Sequence, residues 1–161
     1  MKKYAALLLF GCTTAFAEDA TYTVKQLTPE AALKAAQAAL ARCRENGYQV
    51  TVSVVDRHGI TQVLLRDRFA GPHTVDVSVN KAWTAVSSKT NTSELEKISR
   101  PGESMAGLRH VPRFTAIAGG LKIEGGGSLL GGIGVSGAPG GDADEVCALA
   151  GIKAIADSLE F

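Results

Sequence analysis

Two hydrophobic periodicities alternate along the first half of the chain. Residues 29–46 place Ala32, Ala35, Ala36, Ala39, Leu40 and Cys43 on one face at helical spacing. Thr28 stands as N-cap, Pro29 occupies the first helical position and Asn46-Gly47 supplies the stop. A face made so largely of alanine predicts close packing on a flat partner, which a sheet provides. Residues 49–55 then alternate, with Val50, Val52 and Val54 on one side. Asp56-Arg57-His58-Gly59 reads as a turn and Ile60 to Arg66 as a returning strand, so the segment predicts a hairpin.

Residues 68–73 read as a loop, and Thr74 can cap a second helix running to about Ser88. Ser93 opens a short third helix that ends near Ser99. Residues 100–113, with Pro101, Gly102, Gly107 and Pro112, predict an irregular loop. Short strands are expected at 114–118, 120–124 and 128–136, with Gly125-Gly126-Gly127 as a hairpin turn. A last helix opens with Asp142 and Glu145 at capping-box spacing and ends near Ser158. The order α-ββ-αα-βββ-α describes one α+β domain with a mostly antiparallel sheet.

Composition narrows the function classes. The 161 residues are 45% hydrophobic, 20% charged and 6% aromatic, enough for a core without staples and unlike a disordered or disulfide-dense chain. A formal charge of +1 gives no field for nucleic acid. No apolar run reaches the ~20 residues of a membrane span. Lys2 and Lys3, the apolar stretch Ala5 to Phe10 and Ala15-Phe16-Ala17 have the pattern of a bacterial secretory leader. The expected arrangement is therefore a leader over residues 1–17 and one domain over 18–161, periplasmic or secreted. Of 17 basic and 16 acidic side chains the leader takes Lys2 and Lys3, which leaves a net of −1. Cys43 and Cys147 then remain. In an oxidising compartment they read either as a disulfide or as two small buried side chains on separate helices.

Generic chemistry motifs are absent: there is no G-x-S-x-G elbow, P-loop, C-x-x-C or H-E-x-x-H. Four segments, however, carry a resemblance. They are Val54-Val-Asp-Arg-His-Gly59, Ala70-Gly-Pro-His-Thr74 with Lys81-Ala-Trp-Thr-Ala85, Gly119-Gly-Leu-Lys-Ile123, and Gly131-Gly-Ile-Gly-Val-Ser-Gly-Ala-Pro-Gly-Gly141 followed by Asp144-Glu-Val-Cys-Ala-Leu-Ala-Gly151. From about residue 27 to 160 the chain resembles the GlcG/HbpS, or haem-degrading domain, family, which includes the C-terminal domain of PduO-type proteins. The resemblance implies a profilin-like fold, a five-stranded antiparallel sheet with helices on both faces, and homo-oligomers. It also implies non-covalent haem binding, in one secreted branch together with a sensor kinase.

Candidate residues follow. His73, in a Gly-Pro loop before a helix, is the first candidate for contact with haem iron, since neutral imidazole is a common axial ligand. The alternative is a cap or loop bond. His110 is the second candidate, and Arg109 and Arg113 beside it suit haem propionates, because guanidinium binds carboxylate in bidentate fashion. Lys81 either binds an anion from a pocket wall or pairs with an acid such as Asp76 or Asp56. Trp83 reads as core, the alternative being a haem-stacking face, and His58 as a solvated hairpin tip. The glycines near 137–142 either serve close packing or form an anion nest at a helix start. The favoured function is haem carriage, buffering or redox and iron sensing, with a sensor or transport partner. The alternative is a small-molecule enzyme or accessory factor acting on a small carboxylate.

Overall fold

A computed structural model describes residues 20–160; the leader expected over 1–17 lies outside them. Helix α1 (Pro29–Glu45) is followed by strands β1 (Thr51–Asp56) and β2 (Thr61–Arg66), then helices α2 (His73–Ser88) and α3 (Thr92–Ile98). A short 3-10 turn (Ala106–His110) leads to β3 (Gly120–Gly125), β4 (Ser128–Ser136) and α4 (Gly141–Ile155), with a final 3-10 turn at Ala156–Ser158. The four strands run in the order β2-β1-β4-β3, every neighbour antiparallel. Thr28 caps α1 as expected, its hydroxyl accepting from the Ala31 N–H at 3.2 Å. The β3–β4 hairpin turns on Gly126 and Gly127, whose φ of 52° and 73° suit a two-residue primed turn.

The two faces of the sheet differ in chemistry. On one, Val52, Val54, Leu121, Ile123, Ile133 and Val135 meet the alanine stripe of α1 together with Cys147 and Ala148 of α4. At Gly151 a Cβ would stand 2.7 Å from the Ala35 carbonyl, so α4 and α1 approach backbone to backbone. A Cys43–Cys147 disulfide joins them, with the Cα atoms 5.5 Å apart. On the other face α2 covers hydroxyls and glycines. Thr51 pairs with Thr74, and Ser53 with Ser78, both at 2.7 Å. A Cβ at Gly134 would fall 2.0 Å from the Ser78 carbonyl, and one at Gly120 2.5 Å from the Lys81 carbonyl. The glycines of β3 and β4 thus let the α2 backbone lie directly on the sheet.

Four expectations change. The sheet has four strands, not five, and 114–118 is a loop, because side chains take its backbone donors. The Thr115 N–H donates to Thr84 Oγ1 at 2.9 Å and the Ala118 N–H to Glu96 Oε2 at 3.2 Å. Nor is the outer edge of β3 open to another strand there. The Gly120 N–H donates to Thr92 Oγ1 at 2.8 Å and the Lys122 N–H to Asn91 Oδ1 at 3.0 Å. Thr74 lies inside α2 and caps nothing; its hydroxyl meets the Gly71 carbonyl and Thr51. The Asp142–Glu145 capping box is not formed, since Gly140 is the N-cap of α4 and Glu145 Oε1 accepts from Ser93.

Candidate functional site

The start of α2, the end of β4 and the start of α4 meet at one end of the sheet and enclose a cleft of about 630 Å³. Its first wall is the loop before α2. Asp67, 3% exposed, anchors that loop by accepting from Arg44 Nε at 3.0 and 3.1 Å, while its N–H donates to the Val50 carbonyl at 2.9 Å. Arg66 adds a bond to the Ala70 carbonyl. The loop presents Phe69, 78% exposed, and then His73, whose ring packs back over Gly71. His73 itself is exposed in the first turn of α2. Val77 and the half-exposed Ile117 extend the apolar lining.

The second wall is the segment from Ser136 to Gly141. Gly137 has φ of 127°, and a Cβ there would lie 2.7 Å from the Gln49 carbonyl, so glycine is required. At the floor lies a buried ion pair. Lys81, 2% exposed, donates from Nζ to Asp144 Oδ2 at 2.8 Å and to the Val135 carbonyl at 2.9 Å. The other oxygen of Asp144 accepts from the Ala138 N–H at 3.0 Å. The pair therefore ties α2, β4 and α4 to the glycine-rich wall. Burial pushes the Asp144 carboxyl above the usual carboxylate range, against the opposing pull of Lys81 and of the Ala138 N–H.

Of the residues singled out from the sequence, the cleft brings together His73, Lys81 and the glycines at 137, 140 and 141. Lys81 pairs with Asp144 rather than Asp76 or Asp56: Asp76 is exposed, and Asp56 Oδ1 accepts from the His58 and Ile60 N–H groups. His110, Arg109 and Arg113 do not line the cleft. Arg109 donates to the Ser99 and Glu96 carbonyls and fastens the 100–113 loop to α3. Arg113 lies over the Trp83 ring, 4.7 Å from its centroid, and donates to Asn80. Trp83 is half-buried between Arg113 and Gly59 and is not a core residue. Sequence reasoning missed Phe69, Ser136 and Asp144 as cleft residues. For Ser136 the pattern Gly132-x-Gly134-x-Ser136 was the available signal, since it sets Ser136 on the α2 face. Among the described residues no group of His, Cys, Asp and Glu could hold a metal ion by itself, and no helix is long and apolar enough to cross a membrane.

An antiparallel sheet between two helical layers, with a cleft where α2 and α4 begin, defines the class: a small α+β domain. The model of the family described as haem degrading protein HbpS-like matches residues 27–153, and the chain belongs to that family. An uncharacterised 15.0 kDa protein from the dhaT-dhaS intergenic region of Citrobacter freundii is 36% identical over 116 residues, which span 71% of this chain and 82% of that protein. The crystal structure of a double mutant of Streptomyces reticuli HbpS is similar, with a TM-score of 0.78 and 41% identity over 86% of this chain and 94% of the other. A PduOC–haem complex aligns with a TM-score of 0.77 and 33% identity, covering 81% of this chain and 95% of the other.

Proposed function

We propose that the protein binds haem non-covalently in the cleft between α2 and the Ser136–Gly141 wall, with His73 facing the iron. The observation that carries the reading is an exposed imidazole at the rim of an apolar-walled cleft, in a fold whose PduOC relative is a haem complex. The residues present suit such a group. Phe69, Ile117 and Val77 offer apolar surface to a flat macrocycle, the volume falls in the range of small-molecule sites, roughly 300–1,000 Å³, and His73 offers a neutral nitrogen. When bound, haem would supply redox-active iron; the chain's own part is to hold it and shield one side. Arg109, Arg113 and His110 lie outside this cleft and reach haem only where it is shared between subunits. The homo-oligomer this needs is supported by the exposed Ile60 and Leu64 beside β2, whose outer edge has no strand partner among the described residues.

Export to the periplasm or beyond is supported by the leader pattern of residues 1–17 and by the Cys43–Cys147 bond, which belongs in an oxidising compartment. The role there is haem carriage, buffering or redox and iron sensing with a sensor or transport partner. A haemin titration followed at the Soret band tests the binding. One saturable site per chain is expected, weakened about tenfold or more in H73A. A shift that H73A leaves unchanged overturns the assignment of His73, and no saturable shift overturns the reading altogether.

A further inference from the structure

Two hydrogen-bond donors at the floor of the cleft are uncommitted. The other buried hydroxyls on the α2 face of β1 are paired, Thr51 with Thr74 and Ser53 with Ser78. Ser136, which sits opposite Thr51 in the strand register and is 6% exposed, has a hydroxyl with no partner among the described residues. Its oxygen is open to the cleft rather than sealed in the core, so an incoming group can hydrogen-bond it. Beside it, the ammonium of Lys81 has three N–H bonds and directs two of them to the Val135 carbonyl and Asp144. Val135 immediately precedes Ser136 in β4, and Lys81 and Ser136 both line the cleft.

The surrounding groups select the chemistry of the occupant. Gly140 and Gly141 line the same cleft, and α4 starts there with no side chain capping its first turn. The Lys81 ammonium and the backbone N–H groups at the start of α4 can only donate, and the Ser136 hydroxyl can donate as well, so an acceptor suits the floor of the cleft. Both oxygens of Asp144 already accept, from Lys81 and from Ala138, and the adjacent ammonium balances its charge. A carboxylate is the acceptor-only group that gains most from such donors, through charge-assisted bonds.

We infer that the floor of the cleft is a carboxylate subsite whose donors are Ser136 Oγ–H and the third N–H of Lys81. The carboxylate comes either from a propionate arm of haem, in which case the inference rests on the function proposed above, or from a free small carboxylate. Haem would then lie with one arm at the floor and its ring against Phe69 and Ile117.

The test uses S136A, which removes no bond within the protein, so its melting temperature should match that of the wild type. Haemin and its dimethyl ester are titrated into both proteins at the Soret band, and propionate is titrated into both ¹⁵N-labelled proteins with amide shifts of 136–141 as readout. If the carboxylate is a haem propionate, haemin binds wild type about tenfold more tightly than it binds S136A, and the ester does not distinguish the two. If it is a free acid, propionate moves the 136–141 amides of wild type and not of S136A, whatever haemin does. Haemin and ester binding equally well and indifferent to S136A, with no propionate response, overturns the subsite and leaves the haem site standing. Propionate binding without any haemin binding overturns the haem site and leaves the subsite standing. No response to haemin, ester or propionate overturns both.

Discussion

At the scale of single residues, the Lys81–Asp144 pair is the most consequential feature. Both members are buried, and each holds part of the glycine-rich wall. Removing one partner strands the other's charge in the interior. We predict that K81M loses about 3–5 kcal/mol of stability while K81M/D144L recovers most of it, as urea unfolding at neutral pH would show. A double variant no more stable than the single one would contradict this. Burial raises the Asp144 pKa, so the folded protein holds that proton more tightly than the unfolded chain does. Its contribution to stability is complete below the ordinary carboxylate value, about 4, and is lost as pH rises through the raised folded value. Stability of the wild type relative to D144N should therefore fall as pH rises above about 4; a difference that grows with pH would refute it. None of this pairing was legible in the chain. The partners stand 63 positions apart, and the nearer acids, Asp56 and Asp76, differ from Asp144 only in what the fold does with them. His73 was legible, because a Gly-Pro loop before a helix places a side chain at the helix start whatever packs around it.

At the scale of elements, the sequence periodicities map well onto the face that buries valine and alanine. Val50, Val52 and Val54, with the Ala32–Cys43 stripe, reappear together in the core. The opposite face was harder to read, since Thr51, Ser53, Gly132 and Gly134 carry no hydrophobic signal and only the contact with α2 gives them a common purpose. That contact predicts the effect of G134A. Its methyl would meet the Ser78 carbonyl at 2.0 Å, and backbone cannot turn aside as a side chain does. We expect a loss of at least about 3 kcal/mol, or no soluble protein, whereas alanine at Gly127, where nothing lies within 4 Å but φ is +73°, should cost only about 1 kcal/mol. Comparative denaturation of the two variants checks the ranking. The missing strand at 114–118 shows where such reading stops. Alternating Phe114, Ala116 and Ala118 look like a strand, but Thr84 and Glu96 on two separate helices take the donors a ladder would need.

At the scale of the whole molecule, the disulfide closes a loop of 104 positions. Reduction, or C43A/C147A, should lower stability by about 2–4 kcal/mol, with wild type and variant coinciding once reductant is present; equal stability without reductant would argue against the bond. Its two sulfurs link α1 to α4, so the ring they close contains the entire sheet, both walls of the cleft and the exposed 100–113 segment. The ring changes what a protease cut means. A single cleavage after Arg109 or Arg113, both exposed, would break the main chain without separating anything. The nicked protein would run as one band on a non-reducing gel and as two after thiol treatment, and its cleft would still be bounded on both sides by chain that a covalent thread holds together.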